Sequence, residues 1–407
     1  MKDKITTYDQ DSIGRGVGKL NDKVVFINGG LKDEEYTIDI VFNKNNYSEA
    51  NIVSIKKQSD ERRKYDCPYI DCGGCDLGHQ KYESQLVFKK EKVKKAIERI
   101  GGLKDINILD VILSSEVEYR NKVVLNISDD KIGFYKNNTH EVIDISSCII
   151  CNKKINELLV ILKQFINKYK DHNIKNVFIR SEDETMINII ADNFKLKKEL
   201  IEHINNKVNS ILINGKVIHG ERYIIIELLG YKFKVSSESF FQINKEQTEK
   251  LYNKVLDYSK KYKGVALDLY CGVGTITALL SKHFKKVIGI EEVKSAVFDA
   301  KDNMEINNID NVEFICGKVE FLLNKIEDKV DLIVVDPPRN GLHTNTITSI
   351  LNIKPKTIIY VSCNPETLAR DLKVLSCEYI VNEISLFDMF PNTHHVETVV
   401  SLSKGKK

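Results

Sequence analysis

The sequence predicts an α/β protein with a doubly wound sheet in its C-terminal part, a small N-terminal β unit and a mixed α/β central region. From about residue 245, short apolar strands alternate with helical segments. This pattern is typical of a parallel sheet covered on both faces. Residues 1–58 instead contain short β-rich runs separated by Gly-containing turns. We expect three domains, at 1–58, 59–235 and 236–407.

Length and composition agree with a globular protein of several domains. The chain has 407 residues, 42% of them hydrophobic, and a net charge of +3, too long for one ordinary core. It has no long apolar run and no apolar segment near its start, so we expect no membrane span, no signal peptide and a cytoplasmic monomer. Residues 61–104 hold eleven basic and seven acidic residues, which a solvated helix face explains as well as an RNA-binding patch does.

The elements follow in order along the chain. The runs VVFIN, EYTIDIVF and ANIVSI predict strands in the β unit, and residues 62–80 are irregular and rich in Cys and Gly. A helix is expected from Tyr82, because Leu86, Val93, Ile97 and Ile100 share one face, and Gly101 and Gly102 are expected to stop it. Strands and the helix INELLVILKQFINKY follow at 115–235, and the C-terminal strands are VALDLY, KVIGIE, VEFICG, VDLIVVD, TIIYVSC and VVSLS.

A cofactor site is predicted where the strand VALDLY passes into a helix. The segment from Asp268 to Thr275 contains Gly272 and Gly274, and Glu291 ends the next strand about 20 residues later. Nucleotide-binding folds place such glycines and such an acidic residue there. A hydride-transfer site is less favoured, because the third glycine is missing and an acidic residue opens the loop. Asp268 suits a ligand with positive charge, such as a sulfonium cofactor; a purely structural turn is the alternative.

A reaction site is predicted at the ends of the next strands. Asp336 begins the segment DPPR, Cys363 ends the strand TIIYVSC, and Glu397 precedes the final strand. Carbon 5 of uracil is a poor nucleophile until a thiolate adds to carbon 6, and a base must later remove the carbon 5 proton. These three residues supply a thiol, a base and a hydrogen-bonding carboxyl group. A small core cysteine and a surface carboxylate are the alternatives for Cys363 and Glu397.

A methyltransferase acting on an amino nitrogen is a rival interpretation, because such enzymes use a similar Pro-Pro loop. They normally place an aromatic ring after the prolines to stack on the base, whereas Arg339 stands there in this chain. A nucleophilic nitrogen would also have no use for Cys363.

Over almost its whole length the sequence resembles the bacterial RNA uracil-5-methyltransferases, in particular the iron–sulfur-containing 23S rRNA branch. The resemblance is carried by SESFFQIN, DLYCGVGT, DPPRNGL, YVSCNPETLARDL and HHVET. It implies a class I methyltransferase fold, S-adenosylmethionine as cofactor, Cys363 as nucleophile and Glu397 as general base. It also implies that Gln242, Tyr270, Glu291 and Asp336 contact the cofactor or the base. Phe240 and Phe241 become candidates to stack on a flipped base, with core aromatics as the alternative.

The resemblance further implies an N-terminal TRAM domain that binds RNA, although residues 1–60 hold nine basic and ten acidic residues. It implies a 4Fe–4S cluster held by Cys67, Cys72, Cys75 and Cys148, with Cys151 as the alternative fourth ligand. Soft thiolates suit iron–sulfur clusters or zinc, and three close cysteines with one remote cysteine favour the cluster over a zinc knuckle.

From this resemblance we expect methylation of carbon 5 of a uridine in 23S rRNA. A tRNA target and a non-catalytic RNA-binding or ribosome-assembly protein are the alternatives. The resemblance also places the segment 82–112, read as a helix, beside the catalytic domain. Residues 119–122, Tyr-Arg-Asn-Lys, are expected either to touch RNA backbone or to serve the fold.

Overall fold

The computed structural model describes residues 2–137, 139–204 and 206–405. The N-terminal part of the chain forms a closed five-stranded barrel. Its strand order is β1-β2-β3-β5-β4, and Val25, Ile27 and Ile38 fill its interior. Sequence patterns had indicated three of the five strands. The strands are β1 (Lys2–Gln10), β2 (Gly16–Leu20), β3 (Lys23–Asn28), β4 (Glu35–Asn43) and β5 (Tyr47–Lys57).

The segment after the barrel forms α1 (Tyr82–Arg99) and β6 (Ile108–Ile112). The extent 82–112 expected for this helix is therefore too long, whereas the stop expected at Gly101 and Gly102 is confirmed. The helix ends there because Gly102 adopts a positive φ of 65°, which a glycine tolerates and which closes a helix. The following residues pair in parallel with the strand Tyr379–Phe387 of the C-terminal sheet, so this segment does pack against the C-terminal part of the chain.

The central region is a seven-stranded sheet with two helices, followed by a hairpin. The sheet order is β13-β12-β11-β10-β7-β8-β9. The hairpin β14–β15 packs its apolar side chains into the core of the C-terminal sheet. The elements are β7 (Lys122–Ser128), β8 (Lys131–Tyr135), β9 (Val142–Asp144), α2 (Lys153–Lys168), β10 (Ile174–Ser181), β11 (Thr185–Ala191), α3 (Lys197–Ile204), β12 (Ser210–Ile213), β13 (Lys216–His219), β14 (Tyr223–Leu228) and β15 (Tyr231–Ser236).

The C-terminal part contains α4 (Lys245–Ser259), β16 (Val265–Leu269), α5 (Thr275–Ser281), β17 (Lys286–Glu291), α6 (Lys294–Ile306), β18 (Val312–Cys316), α7 (Val319–Leu322), β19 (Val330–Val335), α8 (Thr344–Ile353), β20 (Thr357–Ser362), α9 (Pro365–Leu375), β21 (Tyr379–Phe387) and β22 (Glu397–Lys404). The sheet order is β18-β17-β16-β19-β20-β22-β21-β6. Side chains of β16 point alternately into two hydrophobic cores, one on each face of the sheet. Ala266 lies in one core, and Leu267 and Leu269 lie in the other. The predicted α/β fold with an N-terminal barrel is thus confirmed.

Two details of this sheet differ from the sequence expectation. Strand β22 runs antiparallel to β20 and β21, so the sheet is mixed rather than fully parallel. The helices α8 and α9 and the strand β21 were not recognised, although α9 has a proline in its first turn and an amphipathic pattern. No helix among the described residues is both long and apolar enough to cross a membrane.

Candidate active site

The loop between β16 and α5 has the backbone that a close approach to a ligand requires. Tyr270, Gly272 and Gly274 all have positive φ angles, of 66°, 55° and 80°. The N–H groups of Tyr270 and Cys271 donate to the carbonyl of Ile290, at 2.9 and 3.2 Å, which ties the loop to β17. A side chain at Gly274 would lie 3.1 Å from the Phe314 ring, so only glycine fits without a shift of its neighbours.

Asp268 is buried below this loop and has one unsatisfied oxygen. Its Oδ2 accepts a hydrogen bond of 2.5 Å from Thr277, whereas its Oδ1 has no partner among the described residues. Burial, with a smaller contribution from the charge of Asp336, raises the pKa of Asp268 to about 7. A buried carboxylate with a free oxygen fits the amino group of a bound ligand, because a buried charge is costly until it is paired.

A pocket opens between the β16–α5 loop, the start of α4 and the segment after β15. It is lined by Phe240, Phe241, Gln242, Thr248, Tyr252, Asp268, Tyr270, Cys271, Gly272, Val273, Thr275, Ile276 and Asp336. Six of these residues were predicted cofactor contacts. Thr248 and Tyr252, on α4, were not; the hydroxyl groups of Tyr252 and Thr275 lie 3.2 Å apart. The only sequence signal for them was a helix that follows FFQIN directly.

Glu291, by contrast, holds the loop itself. Its two carboxylate oxygens accept hydrogen bonds from the N–H groups of Gly272, at 3.0 Å, and Val293, at 2.9 Å. Gly274 likewise does not line the pocket, and caps the N-terminus of α5. Both predicted residues therefore shape the loop, and direct contacts with the cofactor remain a prediction for them.

The sheet register brings the predicted nucleophile and base together. Ser362 pairs with Thr398 between antiparallel β20 and β22, which sets Cys363 opposite Glu397 at the next position. Asp336 follows β19, the other neighbour of β20. Its negative charge raises the pKa of both Cys363 and Glu397, as expected for groups that lie close together.

The environment of this triad raises the pKa of all three groups. Burial, followed by the charges of Glu397 and Asp336, raises the pKa of Cys363 to about 11, and Arg339 opposes this shift. Burial raises the pKa of Asp336 to about 7 and that of Glu397 well above its usual range. Cys363 is partly exposed and is not sealed in the core, as the predicted chemistry requires.

Comparisons with known proteins identify the family of this chain. The sequence profile of the family described as tRNA (uracil-5-)-methyltransferase matches residues 81–405, and that of the TRAM domain matches residues 4–53. This chain belongs to the tRNA (uracil-5-)-methyltransferase family. Members of this family are S-adenosylmethionine-dependent RNA methyltransferases, and the barrel is its TRAM domain.

Individual relatives cover nearly the whole chain. An uncharacterized RNA methyltransferase of Clostridium acetobutylicum is 38% identical over 98% of this chain and 96% of its own length. One from Clostridium tetani is 36% identical over 96% and 94%. Among solved structures, the Pyrococcus abyssi tRNA (uracil-54, C5)-methyltransferase in complex with S-adenosyl-L-homocysteine covers 99% of this chain and 100% of its own, with 29% identity and a TM-score of 0.81.

In this uracil-5-methyltransferase the segment 236–243 carries Gln242 to the pocket and is held by the central sheet. Arg180 is buried, and its guanidinium donates to the carbonyls of Ser236 and Ser239, both at 3.0 Å. Asn121 donates to the carbonyl of Gln242 at 3.3 Å. Sequence patterns did not reveal these supporting residues, because they lie far from the segment along the chain.

The two phenylalanines of this segment have different environments. Phe240 is 68% exposed, whereas Phe241 is 4% exposed and packs against Phe233. Only Phe240 keeps the predicted role of stacking on a base, and Phe241 is a core aromatic. In the tetrad 119–122, Tyr119 and Asn121 are buried and hydrogen-bonded within the protein, so these two serve the fold.

The four predicted cluster ligands lie near one another at the edge of the central sheet. Burial raises the pKa of the Cys67, Cys72 and Cys75 thiols, and the charge of Cys148 adds to the rise in each. Cys151 is buried and hydrogen-bonds to Cys148. Within the described parts of the chain, no three His, Cys, Asp or Glu side chains are arranged to hold a single metal ion.

Proposed function

We propose that this protein methylates carbon 5 of a uridine in 23S rRNA, with Cys363 as the covalent nucleophile and Glu397 as the general base. The observation that carries the proposal is the meeting of these two side chains across β20 and β22, beside Asp336 and next to the cofactor pocket. A thiol, a base and a second carboxyl group are the set that this reaction needs, whereas methylation of a nitrogen needs no thiol.

The chemistry follows from the roles of these side chains. The Cys363 thiol first releases its proton to solvent, and the thiolate sulfur then bonds to carbon 6 of the uracil, which moves the electron pair of the ring double bond toward carbon 5 and lets that carbon form a new bond. S-adenosylmethionine supplies an electrophilic methyl group attached to a sulfonium. Glu397 then removes the carbon 5 proton, the double bond reforms, and the bond between carbon 6 and Cys363 breaks. The raised pKa of Glu397 makes its carboxylate a stronger base for this proton.

Asp336 and Gln242 are suited to hold the uracil edge and the cofactor. With a pKa of about 7, Asp336 accepts a hydrogen bond when ionised and donates one when protonated. Gln242 is buried in the pocket wall and its side-chain amide offers both a donor and an acceptor. We propose that Asp268 pairs with the amino group of the cofactor, because its Oδ1 is otherwise unpartnered.

Methyl transfer to RNA in vitro tests the reaction. We expect Cys363→Ala to abolish transfer from radiolabelled S-adenosylmethionine, and Glu397→Gln to trap RNA on the protein as a complex that survives denaturation. Cys377→Ala is the matched control, because this exposed cysteine lies beyond α9. Full activity of Cys363→Ala would contradict the mechanism. A wild-type protein that binds RNA but transfers no methyl group would favour the assembly-protein alternative.

The target RNA is tested separately. The similarity to the Pyrococcus abyssi tRNA (uracil-54, C5)-methyltransferase favours tRNA as the second candidate. Mass mapping of 5-methyluridine in 23S rRNA and tRNA from a deletion strain separates the two. Loss from 23S rRNA alone supports our proposal, and loss from tRNA alone contradicts it.

We also propose that Cys67, Cys72, Cys75 and Cys148 hold a 4Fe–4S cluster. The four thiols lie close enough for the charge of Cys148 to raise the pKa of the other three, and four cysteine thiolates are the usual ligands of such a cluster. Cys148 is preferred over Cys151, because Cys148 lines one surface pocket together with Cys67, whereas Cys151 is buried.

Metal analysis after anaerobic purification tests this assignment. We expect iron and acid-labile sulfide in equal amounts, their loss in Cys148→Ser, and their retention in Cys151→Ser. Stoichiometric zinc without sulfide would contradict the cluster. Loss of iron in Cys151→Ser, with retention in Cys148→Ser, would exchange the two assignments.

A further inference from the structure

The loop that leads into the general base is held by the cysteine-rich segment and α1. Residues 388–396, here called the base loop, connect β21 to Glu397. Its Asn392 is 1% exposed and uses all its polar atoms. Its Oδ1 accepts from Arg63 at 2.7 Å and from Gln85 at 3.2 Å. Its Nδ2 donates to the carbonyl of Glu116 at 3.0 Å, and its own carbonyl accepts from Leu77 at 2.9 Å.

Asp76 makes a second connection, two residues further along the base loop. Its Oδ1 accepts the N–H of His394 at 2.9 Å, and its Oδ2 accepts from Nδ1 of the same residue. Asp76 follows Cys75 directly in sequence. The two hydrogen bonds fix both the backbone and the ring of His394, since a bidentate contact sets orientation as well as position.

From His394 the contacts continue to the nucleophile. The ring centroids of His394 and His395 are 4.0 Å apart. Nη2 of Arg339 lies 3.0 and 3.1 Å from the two ring nitrogens of His395. Burial, with contributions from His394 and Arg339, lowers the pKa of His395 to about 3, so its neutral ring keeps a lone pair for the guanidinium. The carbonyl of Arg339 accepts a hydrogen bond of 3.0 Å from Nδ2 of Asn364, the residue that follows Cys363, and Arg339 lowers the pKa of the Cys363 thiol.

We propose that Asp76 is a positioning residue for methyl transfer, which acts through His394 and His395 to hold Arg339 beside the Cys363 thiol. No sequence motif connects the cysteine-rich segment with the reaction; the contacts of the base loop do. The assignment rests on the proposed function of Cys363, but its contacts can be tested without methyl transfer. Asp76 touches neither substrate nor reacting atoms in this account.

The test combines Asp76→Asn with His394→Gln in a double-mutant cycle on the full chain. The first readout is the rate at which iodoacetamide alkylates Cys363 at pH 8.5, measured by peptide mass spectrometry. This rate follows the thiolate fraction. The others are kcat and KM for RNA, with iron content and Tm measured on every variant. Asp71→Asn is the matched control: it also adjoins a cysteine, but it is exposed and its one ion pair, with Lys136, is 4.0 Å long.

We expect each single variant to lower the alkylation rate and kcat by about tenfold, the effect of one lost charge-assisted hydrogen bond. KM for RNA and iron content should stay unchanged. The double variant should also show about a tenfold loss, because both residues act through one path. Asp71→Asn should match the wild type.

Three results would overturn the proposal: an unchanged alkylation rate in Asp76→Asn, multiplicative losses in the double variant, or an equal loss in Asp71→Asn. If Asp76→Asn loses iron or does not fold, the His394→Gln variant alone decides. An unchanged alkylation rate of Cys363 in His394→Gln then refutes the proposed positioning through His394. If the wild type transfers no methyl group while the alkylation rates behave as expected, the proposed function fails, and only the positioning of Arg339 beside the Cys363 thiol by Asp76 stands.

Discussion

The ionisation state of Cys363 offers a sharp test of the site, because the nucleophile is protonated in the protein without ligands. Its pKa is raised from 9.0 to about 11, first by burial and then by the charges of Glu397 and Asp336. Two perturbations act on this value in opposite directions. Glu397→Gln removes a negative charge that opposes the thiolate, and Arg339→Gln removes the positive charge that favours it.

The magnitude follows from the shift. A rise of about two pKa units leaves about a hundredfold less thiolate than an ordinary cysteine has below pH 9, or about one molecule in a thousand at pH 8. The alkylation rate of Cys363 by iodoacetamide should therefore rise about tenfold per pH unit from pH 7 to 10. At a fixed pH, Glu397→Gln should react faster than the wild type, and Arg339→Gln should react more slowly.

Peptide mass spectrometry measures these rates at each cysteine of the same sample. The alkylation rates of the exposed cysteines Cys316 and Cys377 serve as internal references, because they report changes in reagent concentration and any unfolding of the sample. A midpoint for Cys363 at or below pH 8 would refute the reasoning, since burial and two carboxylates would then not control the thiol. Slower alkylation in Glu397→Gln would refute the assignment of these two side chains to one site.

Three further predictions concern the loop, the acidic group and the support of the pocket. Gly274→Ala should cost at least about 1 kcal/mol more unfolding free energy than Gly272→Ala, measured by urea unfolding, because only the former adds a crowded Cβ. Because the pKa of Asp336 is raised, the folded protein binds more protons than the unfolded chain between about pH 4 and 7. The contribution of Asp336 to stability therefore falls as pH rises through that window. Asp336→Asn should make the dependence of Tm on pH flatter there. Arg180→Met, which frees two carbonyls behind the segment of Gln242, should weaken cofactor binding by calorimetry at least tenfold.

The C-terminal fold was predictable wherever local pattern determined it. The apolar strands β16, β17, β19 and β20 and the glycine-rich loop follow from residue periodicity and turn chemistry. The segment 108–112 did not, because its strand state depends on pairing with β21, which is remote in sequence. The antiparallel direction of β22 likewise depends on how the chain returns to the sheet, and strand patterns carry no direction.

The site shows the same division between local and long-range information. Cys363, Asp336 and Asp268 were predictable because each stands at the carboxyl end of a strand, where open α/β sheets bind ligands. Arg180, which supports the segment of Gln242, was not predicted, and the role of Asn121 was left open between RNA contact and the fold, because their partners are more than fifty residues away in sequence. A motif names the groups that do chemistry; the groups that hold them are found only through contacts.

The acidic groups of the site also explain why so much supporting structure surrounds it. Asp268 and Asp336 have pKa values of about 7, and the pKa of Glu397 is likewise raised well above its usual range. Each ionised carboxylate therefore disfavours the folded state without ligands, and none of the three is paired with a cation in the contacts that the described residues make. A site of this kind keeps its shape only if other interactions hold it, such as those that Arg180 makes with the segment after β15. A positively charged ligand then gains from the same unpaired carboxylates, so the electrostatic cost to the fold becomes binding energy at the place where the reaction occurs.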